Sequence, residues 1–188
     1  PFSSENRMKS TAITSRPGTL TSITSFPEKS LEICCMHLDK GQMWIGTTTD
    51  GAYRLQLDKN ELTHPILKGN ITSIYQDSEG ELWIGSWEEG LHHVKTDGTI
   101  EIFEYDAKNP YSISSNFVRA CCEDNLGNIW IGTFNGLNRY DKSTGLFQNH
   151  TASDAQSDGL THSSIWCIVK DNQGTLWLGT YFGGVNYF

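Results

Sequence analysis

The sequence predicts an all-β chain, a β-propeller-type stack of four repeated, four-stranded antiparallel blades. Three observations predict it. One string recurs four times along the 188 residues. No repeat carries a helical hydrophobic period. The composition, with 18 glycines, 11% aromatics and only 37% hydrophobic residues, suits short strands joined by tight turns.

The string runs over Asp39–Thr47, Asp77–Ser86, Asp124–Thr133 and Asp171–Thr180, and its tryptophans are Trp44, Trp83, Trp130 and Trp177. An alternating apolar stretch precedes each copy, such as Ile71–Tyr75 or Ile165–Val169, and forms the first strand of the blade. Asp-x-x-Gly is then a hairpin turn, in which the Asp carboxylate takes up turn amides and the Gly supplies positive φ. The second strand, Leu-Trp-Ile-Gly in its commonest form, puts Trp on one face and aliphatic residues on the other, so both faces are to be buried. A third strand follows from a leading glycine, at Gly51, Gly90, Gly136 and Gly183, and then a variable fourth such as Thr99–Tyr105. Four residues before each Asp stand Cys35, Ser73, Ala120 and Cys167, a small-residue column expected where innermost strands crowd towards an axis.

The repeats place blades at about 31–68, 69–107, 115–150 and 163–188, with 19–26 as a blade-edge strand and 1–18 as a polar N-terminal arm. The leading edge strand and the missing last strand admit two arrangements. Either Thr19–Phe26 completes the last blade and closes a four-bladed ring, or the chain is a partial ring of a larger propeller. The second is the reading adopted, and the chain then reads as excised from a longer protein.

A formal net charge of −8 excludes the basic surface that nucleic acid or an anionic membrane would need. The longest apolar run, Ile165–Val169, is far short of the ~20 residues of a membrane helix, so no membrane contact is expected within the segment. Five cysteines, two pairs of them vicinal, make neither a disulfide framework nor a zinc site, and all five are expected as small core residues. No metal or other cofactor is expected.

Strand alternation brings the turns between second and third strands to the same face as the blade-to-blade connections. Three of these turns carry aromatics, two of them beside acidic or amide groups: Trp87, Glu88 and Glu89; Phe134 and Asn135; Tyr181 and Phe182. Aromatic faces stack on sugar C–H surfaces while carboxylates and amides bond to hydroxyls, so these seven residues are the candidate oligosaccharide-binding set. The competing reading is that Trp87, Phe134 and Tyr181, in equivalent positions, pack between blades.

The repeat, its Gly-Leu-Asn-Arg-Tyr continuation at Gly136–Tyr140 and the connectors Asn109–Asn116 and Gly159–Ser164 resemble the two-component regulator propeller repeat. The first copy departs from that pattern, with a turn one residue shorter at Asp39-Lys40-Gly41 and Tyr53-Arg54-Leu55 in its third strand. The resemblance implies a non-catalytic periplasmic sensor segment of a hybrid histidine kinase of Bacteroides-type bacteria, detecting carbohydrate. Further blades, a membrane helix and a kinase module would then lie in the parent chain. A homodimer is the alternative way to cover the end blades.

Other readings are a sialidase-type or streptogramin-lyase-type enzyme, or a general protein-interaction scaffold. A sialidase site needs an arginine triad, a Tyr nucleophile and an acid. The five arginines occupy no equivalent loops, and the six histidines show no ligand spacing. No catalytic residue is assigned.

Overall fold

The computed structural model of this chain describes residues 32–59, 61–63, 66–152 and 159–188. The expected arm and edge strand, 1–18 and 19–26, lie outside them. The described residues form strands and no helix, and none is therefore long and apolar enough to cross a membrane as a helix.

Four antiparallel sheets follow one another in chain order. The first holds β1 (Ile33–Asp39), β2 (Gln42–Thr47), β3 (Ala52–Gln56) and the short β4 (Glu61–Leu62). The second holds β5 (Ile71–Gln76), β6 (Leu82–Ser86), β7 (Leu91–Val94) and β8 (Ile100–Phe103). The third holds β9 (Val118–Glu123), β10 (Ile129–Thr133), β11 (Gly136–Asp141) and β12 (Leu146–His150). The fourth has three strands, β13 (Ile165–Lys170), β14 (Leu176–Thr180) and β15 (Val185–Tyr187). The first strands β1, β5, β9 and β13 stand side by side in succession, as blades do around a propeller axis. No such packing joins β13 to β1 among the described residues, so the four blades form an arc of a ring.

The joint between blades is built from the repeat itself. Cys35, Ser73, Ala120 and Cys167 each lie directly across the ladder from the motif glycine, Gly46, Gly85, Gly132 and Gly179. The bare glycine admits the β-branched residue that opens the next blade. A Cβ on Gly46 would stand 2.8 Å from Ile71 Cγ2, on Gly85 2.7 Å from Val118 Cγ1, and on Gly132 2.6 Å from Ile165 Cγ2. Ile71, Val118 and Ile165 are consequently fully buried, and each belongs to one of three inter-blade cores.

The Asp of the repeat does more than cap its turn. Asp77 Oδ1 accepts the amides of Glu79 and Glu81, while Oδ2 accepts Trp83 Nε1 at 2.9 Å. Asp124 holds Trp130 at 2.8 Å and Asp171 holds Trp177 at 2.9 Å in the same way. One carboxylate therefore fixes both the turn and the rotamer of the tryptophan that faces the next blade. The shorter first copy turns instead through Lys40 and Gly41, both with positive φ, which is the two-residue hairpin geometry.

Two expectations are corrected. Trp83 and Trp130 are buried, but Trp177 is 43% exposed, because each tryptophan points at the following blade and no described sheet follows the fourth. Of the cysteines, Cys121 and Cys122 are buried and Cys35 half-buried, whereas Cys34 and Cys167 are exposed on the first strands of the two end blades.

Burial alone would raise the Asp77 carboxyl, yet hydrogen bonds from Trp83 and Lys142 outweigh it and hold the group below its usual range. Asp124 is held down against burial by Asn128 and Trp130. A carboxyl depressed in the fold stabilises above its unfolded pKa of about 3.9, and that contribution is lost as pH falls through the folded value. Melting temperature should therefore drop steeply on acidification below about pH 4. D124N should melt lower than the parent at pH 7 and show a shallower acid dependence, and an unchanged acid profile would count against this role.

Candidate functional site

The last residue of each repeat shapes the turn that follows. Ser86 Oγ donates to Gly90 O and accepts the Glu89 amide; Thr133 does the same with Gly136 O and Asn135 N, and Thr180 with Gly184 O and Gly183 N. The residue after it is then tied to the incoming connection. The amides of Trp87, Phe134 and Tyr181 donate to Asn70 O, Phe117 O and Ser164 O at 2.9–3.0 Å. Turns and connections share one face, as the alternation of strands requires. The connections themselves are held by the asparagine of the third strand: Asn138 Oδ1 accepts the Ser114 amide and Asn186 Oδ1 that of Thr161.

On that face the aromatic turn residues meet. Trp87 stands edge-on to Phe117 at 5.4 Å, and Phe117 lies 6.1 Å from Phe134. Tyr181 packs on Phe182 at 4.3 Å and on Trp166 at 5.6 Å. Trp87, Phe134, Tyr181, Phe182 and Trp166 all keep 40% or more of their surface exposed, so this group is an open aromatic face and not an inter-blade core. At its centre lies Arg119, with its guanidinium carbon 4.3 Å from the Trp166 ring, 5.4 Å from Trp87, 5.6 Å from Phe134 and 5.9 Å from Tyr181.

The polar members of the candidate set are not drawn into the group. Glu89 is turned towards the connection, where a Cβ on Gly69 would lie 2.8 Å from its Oε2. Glu88 and Asn135 are exposed at their turns. Arg119 and Trp166 escaped the sequence reading, although a signal for them exists. Five residues before each repeat Asp stand Cys34, Thr72, Arg119 and Trp166, a column whose chemistry changes at every blade while the neighbouring column stays small. At Cys34 and Thr72 the side chain merely donates to the carbonyl of Ile71 or Val118 in the next blade.

The opposite ends of the blades carry the Asp-x-x-Gly turns. There Asp77, Glu79 and Glu81 bring carboxylate oxygens within 4.8 Å of one another, a grouping that could hold a cation. The ammonium of Lys142 occupies that role, 3.0 Å from both Asp77 and Glu79, and Glu123 clamps Ser78 through its amide and hydroxyl. This is an electrostatic rivet between the second and third blades. A shallow concavity of about 440 Å³, lined among others by Tyr111, Arg139 and Phe147, lies on the outer edge of the third blade, away from the aromatic face. Arg54 and Arg139 sit on the third strands of their blades and Arg119 on a first strand.

The model of the two component regulator propeller family matches residues 65–88, 112–135 and 159–182. Three of the chain's four repeats match that family's model. Each match ends inside the aromatic turn, at Glu88, Asn135 and Phe182, so each repeat begins with the connection and closes at the candidate face. Among solved structures, the chain is similar to the extracellular domain of a one component system from B. thetaiotaomicron, with 22% identity and a TM-score of 0.52 over 89% of this chain and 28% of that one. The extracellular domain of a hybrid two component system from the same organism gives 22% and 0.51 over 89% and 29%. The WD40 β-propeller domain of Doa1 gives 16% and 0.62 over 83% and 50%. At these identities the likeness establishes the propeller fold. The chain spans less than a third of the two B. thetaiotaomicron domains. No curated protein matches it.

Proposed function

We propose that this chain is a non-catalytic ligand-binding segment of an extracytoplasmic sensor, which detects carbohydrate on its aromatic face and signals to a histidine kinase module of its parent protein. One observation carries the reading: turns from three successive repeats present Trp87, Phe134, Tyr181 and Phe182 on one open face beside the axis. Stacked aromatic faces suit pyranose rings. The repeat family and the extracellular setting named for two of the similar structures support a periplasmic location and a sensor role. Titration with a panel of plant and host oligosaccharides, followed by tryptophan fluorescence, tests it. W87A and Y181A should each weaken binding about tenfold, equivalent to about 1.4 kcal/mol, without lowering the melting temperature by more than a degree or two. Saturable binding that neither substitution alters would remove this face as the site.

We infer that the end blades are covered by further blades in the parent. At one end Ile33, Met36 and Leu38 are exposed, and at the other Val169, Trp177, Val185 and Tyr187. Among the described residues, Ile33 stands in the column of Ile71, Val118 and Ile165 but lies in no glycine notch, while Gly179 is a notch that meets only Cys167. An end of each kind favours head-to-tail association of the isolated chain. Light scattering should show mass rising with concentration above 21.1 kDa. A constant monomer mass would argue that both faces are already capped.

A further inference from the structure

Arg119 is, among the described residues, the charged group at the centre of the aromatic face. Among the described residues no carboxylate forms a salt bridge with it, and its Nε and Nη1 are enclosed without any hydrogen-bond partner. Its remaining nitrogen, Nη2, is not enclosed in that way. The surroundings are four ring faces, which attract the cation through their quadrupoles but accept no hydrogen bond of ordinary strength. Burial pushes the guanidinium down from its ordinary value, opposed by the Tyr181 phenol. The chain as a whole carries eight surplus negative charges, so carboxylates are plentiful, yet the nearest acidic turn sends Glu89 towards Gly69 instead. A guanidinium with one open nitrogen, Nη2, and walled by flat apolar surfaces matches a ligand that brings its own anion on a ring.

We propose that Arg119 is the anion-recognising residue of this face, and that the ligand is an acidic oligosaccharide whose carboxylate or sulfate pairs with the guanidinium while its ring stacks between Trp166, Trp87 and Tyr181. The proposal rests on the carbohydrate reading above and narrows it from sugars in general to charged ones. The geometry divides the work: the rings supply contact with any pyranose, and Arg119 supplies the preference for a negative one. Affinity for the charged ligand should therefore fall with added salt, while affinity for a neutral sugar should not.

The test is calorimetric titration of the chain with trigalacturonate, with a sulfated galactan trisaccharide, and with neutral galactotriose, in low and in 0.5 M sodium chloride. At least one charged trisaccharide should bind tenfold or more tighter than the neutral one, and which of the two does so separates carboxylate from sulfate. R119M should abolish that preference and its salt dependence. R119K keeps the charge but loses the planar guanidinium that lies among the rings, and should retain only part of the preference. If R119M unfolds the chain, the salt dependence of the parent and R119K carry the decision. Equal affinity for charged and neutral sugars, or equal loss of both in R119M and R119K, overturns the role of Arg119 and leaves the carbohydrate reading standing. Absence of binding to all three sugars in the parent, with neutral sugars of other composition binding elsewhere in the panel, overturns the acidic-ligand assignment alone. Failure of the entire panel overturns both.

Discussion

Truncating Trp83 to alanine should cost about 3–5 kcal/mol, whereas the same truncation at Trp177 should cost less than about 1 kcal/mol. The two residues occupy one position of the repeat, and each donates its indole N–H to the repeat Asp at 2.9 Å. What differs is the next blade. Trp83 is fully enclosed, with its ring stacked on His93 at 3.9 Å and tilted against Tyr140 of the following blade at 5.2 Å. Removing it opens a large cavity in the core shared by the second and third blades. It also leaves the buried Asp77 with one donor fewer, Lys142 alone then reaching the same oxygen, and that lost hydrogen bond adds to the cost. Trp177 keeps close to half its surface in solvent, so truncation there leaves no comparable cavity. For a chain of this size the Trp83 change should lower the melting temperature by roughly 6–20 °C. Equal effects at the two positions, in urea or on heating, would sink the blade-joint account.

The second large effect is expected from adding atoms, not removing them. Gly132→Val should destabilise by about 3 kcal/mol, the upper end of the usual cost of overpacking. Gly132 does not need the left-handed region, so strand propensity by itself would favour the substitution. Space decides the sign. A Cβ there would lie 2.6 Å from Ile165 Cγ2 and 3.0 Å from Ile165 Cβ, an atom close to backbone that moves only if the fourth blade moves. At Gly179 the same Cβ meets Cys167 Sγ at 2.6 Å, the tip of an exposed side chain that can rotate away. Gly179→Val should therefore be nearly neutral for the isolated chain, while obstructing any blade or second copy that seats on that face. Comparison of both variants by chemical denaturation, with light scattering alongside, reads the two consequences separately. A Gly132→Val protein as stable as its parent would show that the joint is loose.

The blade pattern was legible because each of its devices is local. The Asp turn, the alternating strand and the glycine-led third strand lie within one repeat, and repetition in four registers removes the ambiguity of any single copy. Even the atypical first turn could be read, since a loop one residue shorter leaves a two-residue hairpin through Lys40 and Gly41.

The sequence by itself determined the strand order, the turn chemistry and the face on which Trp87, Phe134, Tyr181 and Phe182 stand, because these follow from pleat alternation and hydrogen bonding between near neighbours. Only the tertiary structure decided what stands beside what across blades. Arg119 and Trp166 come from the first strands of consecutive blades, 47 positions apart, and they join the turn aromatics because the axis crowds those strands together. Exposure was decided there as well: Trp83 and Trp177 are the same letter in the same motif, and one is core and the other surface because burial depends on whether a further sheet is laid over it. Adjacency in sequence makes Glu88 and Glu89 candidates for the site. Their backbone follows the turn, but Glu89 is drawn to the connection at Gly69, a neighbour that no local pattern names.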